Sequence, residues 1–170
     1  MRIFIPVLLG ITMLLGISCQ KDKNDSQDRK FVSLKLDNKI YLSENPKGTV
    51  YVPDFTDTDP LNDFPKMEVI GQSYTGDVIS LTLVAPALPF TPGIYPCSRE
   101  GNTLQVILNN PYPVTLSSKG SSNCFINITR IDNVTVEGKF IGTLSDAGGS
   151  GLSRELKDGA FRAVIKTVSQ

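Results

Sequence analysis

The stretch with the richest chemistry in this sequence is Asp54-Phe-Thr-Asp57-Thr-Asp59-Pro-Leu-Asn62-Asp63. Its Asp54, Asp57, Asp59, Asn62 and Asp63 side chains could supply several of the roughly six to eight oxygens that a hard cation such as Ca2+ takes. It departs from the EF-hand: no Gly follows the third acid, and no Glu stands at the twelfth position counted from Asp54. The alternative is a solvated, turn-rich loop in which Asp and Asn cap their own backbone. Glycoside hydrolysis would need two carboxylates roughly 5–9 Å apart. Glu44, Glu68, Glu100, Glu137 and Glu155 show no spacing that pairs any two, so they read as solvent-facing charges. Sugar recognition would need aromatic platforms. There is no Trp, which leaves Tyr41, Tyr51, Tyr74, Tyr95 and Tyr112, each of which could instead be a packed residue with a bonded hydroxyl.

Other chemistries fall away on composition. The chain has no His, which removes Ser-His-Asp and Cys-His nucleophilic systems and every His-containing zinc site. Its three Cys cannot build a four-thiolate zinc site. The run Asp146 to Gly151 is glycine-rich, but it lacks the Gly-Lys-Ser/Thr and the following helix of a phosphate-binding loop. Asn127-Ile-Thr129 and Asn133-Val-Thr135 fit the N-glycosylation rule and are read as coincidences. Lys plus Arg equals Asp plus Glu at 17 each, so the basic surface of a nucleic-acid binder is missing. No cofactor is expected beyond the Ca2+ alternative.

The start of the chain bears on location. Arg2 is followed by an almost wholly apolar run, Ile3 to Ile17, then Ser18 and Cys19. Fifteen residues fall short of the ~20 that a spanning helix needs, and Pro6 sits inside them. Residues 1–18 read as a cleavable signal peptide. Leu15-Gly16-Ile17-Ser18-Cys19 resembles a bacterial lipobox, although the usual Leu three residues before the Cys is here Gly16. The resemblance implies acylation of Cys19; ordinary secretory cleavage and a retained helix are the alternatives. Residues 19–30 are expected to be the lipidated Cys and a tether, because 20–30 contain no hydrophobic residue to offset ordering. The Lys and acids after the Cys partly resemble the Bacteroidota signal for export to the outer face of the outer membrane.

The remainder, 31–170, carries 12 basic and 14 acidic side chains and is long enough for one real core. Cys97 and Cys124 sit in a compartment that permits a disulfide, with two buried free thiols as the alternative. Short alternating runs bounded by Gly, Pro, Asn and Asp recur, and no helical apolar period is sustained. Val32, Leu34 and Leu36 share one face, as do Leu104, Val106 and Leu108; Cys124, Ile126 and Ile128; Val136, Phe140 and Leu144; and Phe161, Ala163 and Ile165. The pattern predicts an all-β domain, an antiparallel β-sandwich or flattened barrel of about 8–10 strands. Asp37-Asn38-Lys39, Thr75-Gly76-Asp77 and Asp158-Gly159 read as turns, and 53–66 and 145–158 as long loops.

Ile126-Asn-Ile-Thr-Arg-Ile-Asp132, Val136-Glu-Gly-Lys-Phe-Ile-Gly-Thr-Leu144 and Lys157-Asp-Gly-Ala-Phe161 resemble the strands of an uncharacterised family of small Bacteroidota lipoproteins. The hairpin at Val32-x-Leu-x-Leu-Asp-Asn-Lys39 is similar too. The resemblance implies a surface or periplasmic β-sandwich and supplies no catalytic residues. Gly138 and Gly142 around Phe140 read as gaps for a neighbouring aromatic or backbone.

Together these readings predict a non-catalytic module, held at the outer membrane by its lipid, that binds a glycan or an envelope protein through the 53–66 and 145–158 loops. A structural envelope lipoprotein with no ligand is the alternative, and a carboxylate-dependent hydrolase a second one. Nucleic acid is not an expected partner.

Overall fold

A computed structural model describes residues 29–56, 62–109, 111–149 and 151–169. Eleven strands are present among them: β1 (Phe31–Leu36), β2 (Lys39–Glu44), β3 (Lys47–Val52), β4 (Lys66–Gln72), β5 (Val78–Val84), β6 (Gly93–Pro96), β7 (Thr103–Asn109), β8 (Pro113–Ser117), β9 (Phe125–Ile131), β10 (Thr135–Asp146) and β11 (Ser153–Ser169). They form one sheet in the order β2-β1-β11-β3-β4-β5-β7-β8-β10-β9-β6. A further pairing of β11 with β10 closes it on itself. The protein is all-β, with a single rolled sheet around one core.

Two features of the sheet depart from expectation. One strand more than expected is present: β8 starts at Pro113, after Asn109-Asn110-Pro111-Tyr112 in the sequence. Proline is tolerated at the first residue of a strand, where no ladder donor is lost. The sheet is also not purely antiparallel. β3 runs parallel to β11, from Lys47 opposite Val164 to Val52 opposite Ser169.

The two long strands position everything else. β11 pairs with β10 along one side; on the other it pairs first with β1 and then, from Val164 on, with β3. Its 17 residues are continuous through Asp158-Gly159, which form a bulge and not the expected turn. Asp158 takes a positive φ of 52°, and the registers against β1 and β10 both slip beside it. An added residue on one strand bends the sheet without ending the pairing, as barrel closure requires. The other turns form as the sequence indicates. Asp37 and Asn38, with φ of 49° and 65°, make the two-residue β1–β2 connection, and Gly76, with φ of 85°, helps make that between β4 and β5.

The five predicted apolar faces all point inward and are buried. Within them Phe140 lies opposite Gly159, and Phe161 opposite Gly138. Each aromatic ring lies over the glycine on the facing strand, where a Cβ would strike it, and the two rings meet at 6.2 Å. Gly142 does the same for the Cys124 side chain, whose Cβ would be 2.7 Å from an added methyl. Cys97 and Cys124 are buried and joined in a disulfide, with Cα atoms 5.3 Å apart. The bridge ties the end of β6 to the start of β9, where the Cys97 N–H also donates to the Cys124 carbonyl at 2.9 Å.

A buried carboxylate latches two turns together. Asp77 Oδ2 accepts from the Thr75 hydroxyl at 2.6 Å, and Oδ1 accepts from the Asn109 N–H at the end of β7 at 2.9 Å. Burial alone pushes this carboxyl up. The Thr75 and Asn109 hydrogen bonds, with nearby Lys39 and Ser73, outweigh burial and hold it below the usual carboxylate range. A carboxylate that is more acidic when folded contributes stability above its unfolded value near ~3.9, and that contribution is lost as pH falls through the folded value. Asp77→Asn is therefore expected to cost about 1–3 kcal/mol at neutral pH. The wild-type advantage should shrink toward zero in acid, as measured by urea melts of both proteins across pH. An equal gap at all pH values would count against the latch.

Candidate functional site

The strand directions gather four connections at one end of the barrel: 37–38, 73–77, 110–112 and 147–152. The Asp77–Asn109 bond joins the second to the third. The Ala147 N–H donates to the Thr115 carbonyl in β8, tying the fourth connection to the strand that follows the third. Arg154 pairs with Asp37 at 3.2 Å and joins the fourth to the first.

The two long loops expected to form one contact region lie at opposite ends of β11. The first follows Val52, which is paired with Ser169, and the second precedes Ser153. Sixteen strand steps separate them, roughly 50 Å at ~3.3 Å per residue. The second is also shorter than expected, because β10 extends to Asp146 and β11 begins at Ser153.

At the end that gathers the four connections, a groove of about 430 Å3 opens between β2 and the 73–77 turn. It exists because β2 has β1 on one side and no ladder partner on the other. Gly71 admits the β1–β2 hairpin, its missing side chain making room for Val32 and Ser43, and the Ser43 hydroxyl donates to the Gln72 carbonyl at 2.8 Å. Beyond that bond the two walls diverge. One wall carries Ile40 and Leu42, both exposed, with Tyr41 turned inward beneath the Lys39 ammonium, 4.8 Å from its ring centre. The other carries Gln72, Ser73, Thr75 and Tyr74, a residue that is 99% exposed. Glu44 closes one end of the groove.

The five tyrosines divide clearly. Tyr95 is buried, and its hydroxyl donates to the Thr91 carbonyl at 2.9 Å. Tyr51 donates to Glu68 at 3.1 Å, and burial together with that carboxylate raises its hydroxyl above the ordinary range. Tyr41 is packed under the groove. Tyr74 and Tyr112 stand out into solvent from the two turns that Asp77 joins. The sequence marked Tyr74 as one of five and missed Ile40 and Leu42. The signal for them was Ile40-Tyr41-Leu42, three apolar residues in succession, which puts apolar side chains on both faces of an edge strand.

Of the proposed calcium ligands, Asp57 and Asp59 lie outside the described residues. Asp54 accepts from the Thr56 N–H and hydroxyl at 2.8 and 2.6 Å on one oxygen. Those bonds hold its carboxyl below the usual range. Its own N–H donates to the Asn62 carbonyl at 3.1 Å, closing the loop base. Asp63 lies nearby in the chain. Among the described residues no three Asp, Glu, His or Cys gather as a metal site.

The glutamates are spread over the surface, and four of the five have ion-pair partners of their own. Glu44 pairs with Arg29, Glu68 with Lys66, Glu137 with Arg162 and Glu155 with Lys157. Glu100 lies exposed in the β6–β7 connection. The sequon threonines are engaged as well: Thr129 donates to the Glu137 carbonyl and Thr135 to the Asp132 carboxylate. Cys19 and the signal segment 1–18 lie outside the described residues. The fold begins slightly before the expected tether end. Arg29 pairs with Glu44, and the Lys30 carbonyl accepts from the Asn45 N–H at 3.1 Å. No family model, curated protein or solved structure matches this chain.

Proposed function

We propose that this protein is a non-catalytic lipoprotein of the outer membrane, anchored through acylated Cys19, whose barrel binds an extended glycan in the groove between β2 and the 73–77 turn. The observation that carries the glycan reading is the composition of that groove. A fully exposed Tyr74 ring and the apolar Ile40 and Leu42 can meet sugar faces, while Glu44, Gln72, Ser73 and Thr75 can exchange hydrogen bonds with hydroxyls. Shallow clefts of mixed character suit a ligand with alternating apolar faces and polar edges. Scattered glutamates, four of them beside a cation, support binding over hydrolysis.

The test is retention on a glycan array. At least one class of saccharide should be held, and Tyr74→Ala should weaken that retention about tenfold, the worth of one aromatic stacking contact. The same substitution should leave the melting temperature unchanged, because the ring touches nothing it stabilises. Absence of retention on every glycan would overturn the reading. Anchoring is tested separately: the mature chain should carry the mass of acyl groups at Cys19, and Cys19→Ser should abolish partition into the detergent phase.

A further inference from the structure

We infer that the outer face where the chain emerges at Lys30 docks on the anionic phospholipid headgroups of the membrane that holds the anchor; this rests on acylation of Cys19. Eleven chain steps separate Cys19 from Lys30, a reach of at most roughly 40 Å when fully extended and roughly 15–20 Å on average. The face around Lys30 is therefore the part of the barrel held closest to the bilayer.

The register shows what that face presents. Across β9, β10, β11, β1 and β2 runs the row Arg130, Glu137, Arg162, Phe31, Glu44. The next row is Thr135, Val164, Lys47, Ile70, and the row after it contains Lys166, Thr49 and Glu68. Lys47 is two residues past Asn45, whose N–H holds the Lys30 carbonyl. Val134, at the β9–β10 turn, gives its carbonyl to the Ile165 N–H at 2.8 Å and leaves its side chain exposed, as are Val164 and Val168.

The charge of this face is opposite to that of the domain. Residues 31–170 carry two more acidic than basic groups. Around Lys30, by contrast, six basic groups, Arg29, Lys30, Lys47, Arg130, Arg162 and Lys166, face four acidic ones, Glu44, Glu68, Asp132 and Glu137; Arg29, Arg130 and Arg162 are each paired with one of those acids. Basic groups at a tethered surface each add about fivefold to association with anionic lipid, and small exposed apolar side chains can enter the headgroup region. The groove leads away from this face, from Glu44 beside Arg29 toward Tyr74, so docking leaves its far end in solvent.

The test uses the acylated full-length mature protein in phosphatidylcholine–phosphatidylglycerol vesicles with a quencher on the lipid headgroup. A fluorophore is placed on Val134→Cys or, as control, on Leu152→Cys in the 147–152 connection; the Cys97–Cys124 bridge leaves the introduced thiol as the labelling site. Docking predicts at least fivefold stronger quenching at position 134 than at 152. Lys47→Gln and Lys166→Gln should each lower the docked-to-undocked ratio about fivefold. Equal quenching at the two positions, or none at 134, in a protein whose mass shows the acyl groups would overturn the docking and leave the anchor standing. A mature chain without acyl mass would overturn both.

Discussion

Gly138→Val is expected to destabilise the protein by about 3 kcal/mol or more, enough to lose much of its folded population. The reason is local and steric. Gly138 has no positive φ, so backbone freedom is not what it supplies. It supplies space: an added Cβ would strike the Phe161 ring on one side and the Asn127 carbonyl on the other. The ring lies in a buried pair with Phe140 and cannot swing away without opening the core, and the carbonyl belongs to the β9 ladder.

The pairing makes a sharper forecast. Phe161→Ala alone should cost about 3–5 kcal/mol through the cavity it leaves. Combined with Gly138→Val it should cost at least 1 kcal/mol less than the sum, because the removed ring is one of the two groups the valine strikes. Urea melts of the wild type, both single variants and the double variant measure this directly. Strict additivity would show that the glycine and the ring are not coupled.

Removing the disulfide by Cys97→Ala with Cys124→Ala should cost about 3–4 kcal/mol, since the bridge closes a loop whose ends are 27 residues apart. For a domain of this size that lowers the melting temperature by roughly 10 °C. The loop contains β7 and β8 and the connections to them, so the unfolded chain gains freedom over a large part of the wall. Thermal melts in the absence of reductant check the shift, and alkylation of the unfolded, unreduced protein should find neither thiol reactive. A shift of only one or two degrees would mean that the β6–β9 ladder already holds this corner without the bridge.

The inward faces were legible because alternation in a strand is a local property. Val32, Leu34 and Leu36 could be assigned to one side from three letters and their spacing, and the same holds for Leu104, Val106 and Leu108. Asp158-Gly159 was misread because a bulge and a turn use the same residue types; only the continued pairing of β11 on both sides distinguishes them. Gly138 and Gly142 were recognised as gaps, but which side chain filled each depended on register across β10 and its neighbours.

The candidate site was the least legible part. It is a seam in the barrel wall, and its two sides are about thirty residues apart in the chain. Ile40 and Leu42 become a wall of the groove only because β2 has no strand beside it, and Tyr74 faces them only because Gly71 lets the hairpin approach β4. The Asp-rich loop drew attention by local density, yet long-range pairing placed it at the other end of the molecule from the exposed tyrosines.

Composition and local spacing thus determined the all-β class and the inward residues, and indicated the turns at 37–38 and 75–77 and the Cys97–Cys124 bridge that the structure then showed. The tertiary structure alone decided the parallel β3–β11 contact, the closure of the sheet and the location of the groove. Strand alternation and turn geometry act over a few residues. Which edges meet and which stay open depends on contacts between segments far apart in the chain, and local sequence does not encode those one segment at a time.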